Sequence, residues 1–137
     1  SKFLDFKTYK QTKGEKYMSP KQIEHFKKIL LDWKNLLMKE AEKTVENMKR
    51  DSTKLSDPND AATQEEEFRL ELRTRDRERK LIIKIDQALQ RVDDGLYGYC
   101  EDTGEPIGIK RLEARPIATL CIEAQERHER LEKSQMD

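Results

Sequence analysis

The chain has 137 residues, 28 of them Lys or Arg and 28 Asp or Glu, so 41% is formally charged while 34% is hydrophobic. This leaves too little apolar material for a large globular core, and because the longest aliphatic runs are triplets such as Ile29-Leu30-Leu31, far below the roughly 20 residues of a membrane-spanning helix, neither a membrane span nor a secretory signal is expected. A net charge of +0 and a pI near 6.7 exclude the bulk basic footprint of a duplex-DNA binder, and two Cys without a secretory signal point to a reducing cytoplasm.

In chain order, residues 1–18 carry Phe3, Leu4, Phe6, Tyr9 and Tyr17, too much apolar and aromatic content for a free tail, and are expected to pack against the base of the molecule. Residues 19–94 read as a hairpin of two long helices. Ser19 is the N-cap of the first, Pro20 its first helical residue, Gln22 the closing member of a capping box, and Met18 with Ile23 a hydrophobic staple. Ile23, Phe26, Leu30, Trp33 and Leu37 then recur at steps of three and four, a heptad seam that continues more weakly through Thr44, Val45, Met48 and Leu55. With no Gly or Pro from 21 to 57, the pattern predicts a helix of about 35 residues and about 52 Å, which needs a partner.

The partner is predicted to start with Asp57 as cap, Pro58 in the first turn and Asp60 at the positive end of the helix dipole, and to stop at Asp94-Gly95. Its apolar residues Phe68, Leu72, Ile82, Ile85, Leu89 and Val92 leave a polar gap from Arg75 to Arg79, so a thin coiled coil with a projecting tip at 56–62 is expected. Trp33, Leu37, Leu72 and Ile82 are assigned to the core, and His25 to a helix surface. Residues 95–137 form a third segment. Gly98, Gly104, Pro106, Gly108 and Pro116 mark a compact turn-rich module, and Ile117, Leu120, Cys121, Ala124 and Leu131 fit one face of a final helix. The fold class is all-α.

From residue chemistry alone, the stretch from Asp57 to Glu67, with five acids and no base, reads as a solvated helix start. Arg73, Arg77, Lys80 and Lys84 make a basic stripe that suits local ion pairing and partner binding equally well. No glycine-rich phosphate loop, catalytic triad or paired-His metal motif is present, so no enzyme activity is expected.

Tyr97-Gly98-Tyr99-Cys100-Glu101-Asp102-Thr103-Gly104, Ile107-Gly108-Ile109-Lys110-Arg111-Leu112-Glu113-Ala114-Arg115-Pro116 and Cys121-Ile122-Glu123-Ala124 together resemble the zinc finger of the DksA family of bacterial transcription factors. The resemblance extends upstream through Asp57-Pro58-Asn59-Asp60, Glu65-Glu66-Glu67-Phe68 and the run from Leu70 to Leu81, and covers the chain from about Tyr17 onward. It implies a cytoplasmic, monomeric factor that enters the secondary channel of RNA polymerase and, with ppGpp as effector, alters initiation at stringently controlled promoters without binding DNA.

On the same resemblance, Asp57, Asp60 and Ala62 are the active coiled-coil tip and Arg77 grips the rim of the channel. Leu81, Lys84 and Arg115 belong to the ppGpp site, where Gln125 replaces a usual Lys. The finger departs from the family pattern of four cysteines. Cys100 and Cys121 remain, Thr103 and Ala124 stand at the other two positions, and His128 lies about 10.5 Å along a helix from Cys121, so a degenerate finger without zinc is expected. The competing classes are a Gre-type transcript-cleavage factor and a generic coiled-coil adaptor.

Overall fold

The computed structural model describes residues 6–51 and 58–136. Its helices are α1 (Pro20–Asp51), α2 (Pro58–Asp93), α3 (Ile109–Ala114) and α4 (Ile122–Met136). Among the described residues the one extended pairing is an isolated antiparallel bridge between Tyr99 and Pro106. The chain forms two compact units, one built on Asp32–Asp86 and the other on the described residues of Asp5–Leu31 and Gln87–Asp137.

The start of α1 follows its local code with one shift. The Gln22 N–H lies 3.4 Å from the Ser19 hydroxyl, but the Gln22 side chain accepts from the N–H of Met18 at 2.7 Å rather than from that of the cap itself. Met18 is held at φ 52°, which turns its N–H toward the fully buried Gln22. Leu55 and the remainder of the predicted first helix lie outside the described residues.

The stop of α2 is a Schellman motif: Leu96 N–H donates to Arg91 C=O at 2.9 Å and Gly95 N–H to Val92 C=O at 3.2 Å. Gly95 has φ 75°, the left-handed value this motif asks of its C′ residue.

In the unit built on Asp32–Asp86, Leu37 and Met48 are buried on α1, and Glu78 and Ile85 on α2. Thr44 faces Glu78 at 3.5 Å between oxygen atoms, and Lys34 pairs with Asp86 at 2.7 Å, so the helices run antiparallel. The inward face of α2 runs through Glu71, Thr74, Glu78, Leu81 and Ile85, a heptad seam in which polar residues hold three positions. This corrects the apolar reading. Leu72 and Phe68 are 38% and 37% exposed, because each sits one position, about 100° of helix rotation, away from the line that meets α1. Leu37 is fully buried as expected, while Trp33 and Ile82 are half-buried.

In the other unit the core is Phe26, Ile29, Leu30, Ala88, Tyr97, Ile107, Leu112 and Ala124. Tyr97 packs its ring 5.9 Å from that of Phe26 and donates its hydroxyl to Pro116 C=O at 2.8 Å, and burial raises that hydroxyl far above its ordinary pKa. His25 is not a surface residue. Its ring is half-buried among Phe6 at 6.4 Å, Tyr9 at 5.2 Å and Phe26 at 5.0 Å, and desolvation lowers its pKa against the opposing pull of Glu113.

The last helix also differs from its expected face. Arg115 to Ala118 close a turn through the Ala118 N–H to Arg115 C=O bond at 3.0 Å. The carbonyls of Thr119 and Leu120 accept from Glu101 N–H at 2.8 Å and from Arg111 Nε at 3.0 Å. With those acceptors committed elsewhere, helical pairing begins only when Gln125 N–H reaches Cys121 C=O at 2.9 Å, so Ile117 and Leu120 precede α4 and Leu131 is 57% exposed.

Candidate functional site

The finger module is built around a short reversal. Cys100 N–H donates to Glu105 C=O at 2.8 Å, Gly104 N–H returns to Cys100 C=O at 2.9 Å, and Glu105 N–H reaches the Thr103 hydroxyl at 3.2 Å. Ile107 N–H to Gly98 C=O at 2.8 Å extends the reversal. Tyr17 locks it from outside: its hydroxyl donates to Gly98 C=O at 2.7 Å and accepts from Gly108 N–H at 2.9 Å.

Three of the four family finger positions, Cys100, Thr103 and Cys121, come together. The Thr103 hydroxyl lies 3.8 Å from Cys121 Sγ and also reaches Cys100, whose sulfur accepts from the backbone N–H groups of Cys121, Thr103 and Asp102. Burial raises the Cys100 thiol, but these hydrogen bonds, Thr103 foremost, outweigh it and hold its pKa at about 6. A closed zinc site requires four donors around one ion. Two thiols and one hydroxyl are present, and Ala124, fully buried, puts a methyl group at the fourth position. The residues therefore do not fit a four-thiolate zinc site. His128 Nε2 is engaged instead with Asp102 Oδ2 at 2.6 Å, a contact that the sequence reading missed because it links residues 26 apart.

Arg91 joins α2 to the same module, donating to Leu96 C=O at 3.1 Å and Tyr99 C=O at 2.8 Å while pairing with Glu101 at 3.4 Å. The interior positions of the reversal are thus held by backbone hydrogen bonds and aromatic packing. This is work that metal coordination does in a four-cysteine finger.

The other site residues from the sequence fall on both units. Asp57 lies outside the described residues, Asp60 lies in the first turn of α2, and Ala62 is exposed on that helix. Arg73, Arg77, Lys80 and Lys84 are all exposed on α2, and none forms an ion pair with a described residue. The local pairing that residue chemistry allowed for this stripe is therefore not made within the described chain. Leu81 is half-buried on the seam of α2. In the unit that contains the finger, Arg115 is exposed at the C-cap of α3, and Gln125 is half-buried with its amide donated to Glu129 Oε1 at 3.2 Å.

Comparison with known proteins places two family models end to end on the chain. The model described as DnaK suppressor protein DksA, N-terminal domain, matches residues 22–92, and the prokaryotic dksA/traR C4-type zinc finger matches residues 95–130. The second match weighs toward zinc, and the two substituted finger positions weigh against it. The chain is 54% identical over 129 residues to the RNA polymerase-binding transcription factor DksA of Caulobacter vibrioides, covering 94% of this chain and 91% of that protein. It is 53% identical over 115 residues to the protein of the same name from Escherichia coli, covering 84% and 76%. Among solved structures, transcription factor DksA2 from Pseudomonas aeruginosa superposes with a TM-score of 0.79 at 45% identity, covering 85% of this chain and 90% of that one.

Proposed function

The chain belongs to the DksA family, and from that membership we propose that it is an RNA polymerase-binding transcription factor acting in the cytoplasm as a monomer. It enters the secondary channel of bacterial RNA polymerase and, with ppGpp, lowers initiation at ribosomal RNA promoters and raises it at amino-acid biosynthesis promoters. It performs no catalysis of its own and makes no direct contact with DNA. The observation that carries this reading is the identity, along nearly the whole chain, to relatives named for polymerase binding.

The residues have separate parts in this reading. Asp57 and Asp60 supply negative charge near the polymerase active site, and the small Ala62 permits close approach. Arg77, exposed and without a carboxylate partner among the described residues, is available to an acidic or carbonyl-rich rim. Lys84 and Arg115 supply charge-assisted donors for the phosphates of ppGpp, and Leu81 an apolar contact. Gln125 offers at best a neutral amide, already donated to Glu129, so the response to ppGpp is weaker than in a relative with Lys at that position. The finger works without zinc, in keeping with its donor set.

Transcription from a ribosomal promoter by purified polymerase, with and without ppGpp, tests the proposal. The protein should repress, and ppGpp should deepen repression. Asp57→Asn with Asp60→Asn should abolish repression at unchanged polymerase affinity, Arg77→Ala should weaken binding itself, and Gln125→Lys should strengthen the ppGpp response. Cleavage of arrested transcripts without repression would assign the protein to the Gre type instead, and no effect on polymerase would make it an adaptor.

A further inference from the structure

The seam between α1 and α2 contains an oddity that apolar packing does not explain. Glu78 is only 3% exposed, in a unit whose core is already thin, and the half-buried Thr44 faces it. The Thr44 hydroxyl is 3.0 Å from Glu40 C=O and 3.5 Å from Glu78 Oε1, so its proton is shared between its own helix and the partner helix. One heptad away, toward the start of α1 and the end of α2, Leu37 and Ile85 are both fully buried. A polar layer thus sits one heptad from an apolar layer.

Replacing a buried polar or charged layer by apolar residues of similar volume is usually neutral or stabilising, whereas a single polar layer in a coiled coil specifies register at a cost in stability. The alternatives can be enumerated. In the observed register, Thr44 faces Glu78 and the heptad repeat sets Leu37 against Ile85. Sliding α2 by one heptad in one direction sets Glu78 against Leu37, inserting a carboxylate into the apolar layer. Sliding it the other way sets Ile85 against Thr44, which wastes the best apolar position.

We propose that the Thr44–Glu78 layer is the register lock of this helix pair: it contributes specificity rather than stability, and it selects which residues of α1 lie beside the start of α2. Glu78 is thereby a positioning residue. The functional consequence rests on the polymerase-channel reading above, because register sets how far the first turn of α2, with Asp60, extends along α1. The lock itself does not rest on that reading.

The test uses the full chain with spin labels attached through non-cysteine chemistry at the exposed positions 43 and 79, which flank the layer on opposite helices. The parent should show one interspin distance. The double substitution Thr44→Val with Glu78→Leu, which removes both polar partners together, should melt no lower than the parent yet show a second population displaced by about 10 Å along the helix axis, one heptad at 1.5 Å per residue. Glu78→Gln keeps a polar layer and should retain the single distance. A single parental distance in the double variant would overturn the proposal, and so would its failure to fold or a large fall in its melting temperature, since either makes the layer a source of stability. Repression by the same variants separates the two readings: two registers with undiminished repression would support the lock and count against the tip reading alone.

Discussion

Gly98 and Glu15 show how much of the finger-bearing unit rests on single residues. A Cβ at Gly98 would lie 2.7 Å from Met18 Sδ and 2.8 Å from its Cγ, and the residue holds φ +89°. The methionine end can move, but the backbone conformation still penalises any L side chain, so Gly98→Ala should cost about 1–3 kcal/mol in urea unfolding. Glu15 accepts a hydrogen bond from the Tyr9 hydroxyl, and this, opposed by burial and aided by Ser19, Thr12 and Gln22, holds its carboxyl at about 2. A carboxyl lowered in the folded state contributes stability above its ordinary value of 4.5, and that contribution is lost as pH falls from there through about 2. In Tyr9→Phe the Glu15 titration should move up toward 4.5, which side-chain carboxyl NMR reads directly. A Glu15 that still titrates near 2 would show that Ser19 and the Thr12 N–H suffice.

At the scale of elements, caps and stops follow local rules, and the seam does not. The Ser19-Pro20 start and the Gly95 stop fall where the sequence puts them, because both satisfy backbone groups within a few residues. The inward face of α2 is different: its five seam positions, spaced alternately three and four apart over two heptads, include three polar residues, and the Thr44–Glu78 contact fixes which line of α2 faces α1. Ile85, fully buried, and Leu72, 38% exposed, therefore make a discriminating pair. Ile85→Ala should cost about 2–5 kcal/mol, whereas Leu72→Ser should stay within about 0.5 kcal/mol of the parent. Equal losses in denaturant unfolding would restore the apolar seam first read from the sequence.

For the molecule as a whole, the question is what stabilises a finger that lacks half its thiols. Phe26, Leu30, Tyr97, Leu112 and Ala124 are buried in that unit, and Tyr17, Arg91 and Arg111 satisfy backbone groups of its loops. A structural zinc site adds folding free energy that chelation removes. Chelator should accordingly leave the melting temperature and promoter repression of this protein unchanged, and Cys100→Ser with Cys121→Ser should retain regulation. A stoichiometric zinc adduct in native mass spectrometry, or a melting point that falls with chelator, would refute the zinc-free proposal.

What the sequence determined by itself is whatever is decided within about one turn of chain: the long helices, the start of α1 and the stop of α2, the turn-rich module after Gly95, and the family motif in which Thr103 and Ala124 stand for thiols. Tertiary structure decided which side chains meet across distance. It turned His25 inward beneath Phe6 and Tyr9, set His128 on Asp102, buried Glu78 and exposed Leu72. The physical reason is that hydrophobic periodicity states how wide a helix face is, while the azimuth at which that face docks depends on all the residues it meets, polar ones included. In a chain that is 41% charged, apolar residues are too few to outvote the rest, so polar contacts choose the docking face.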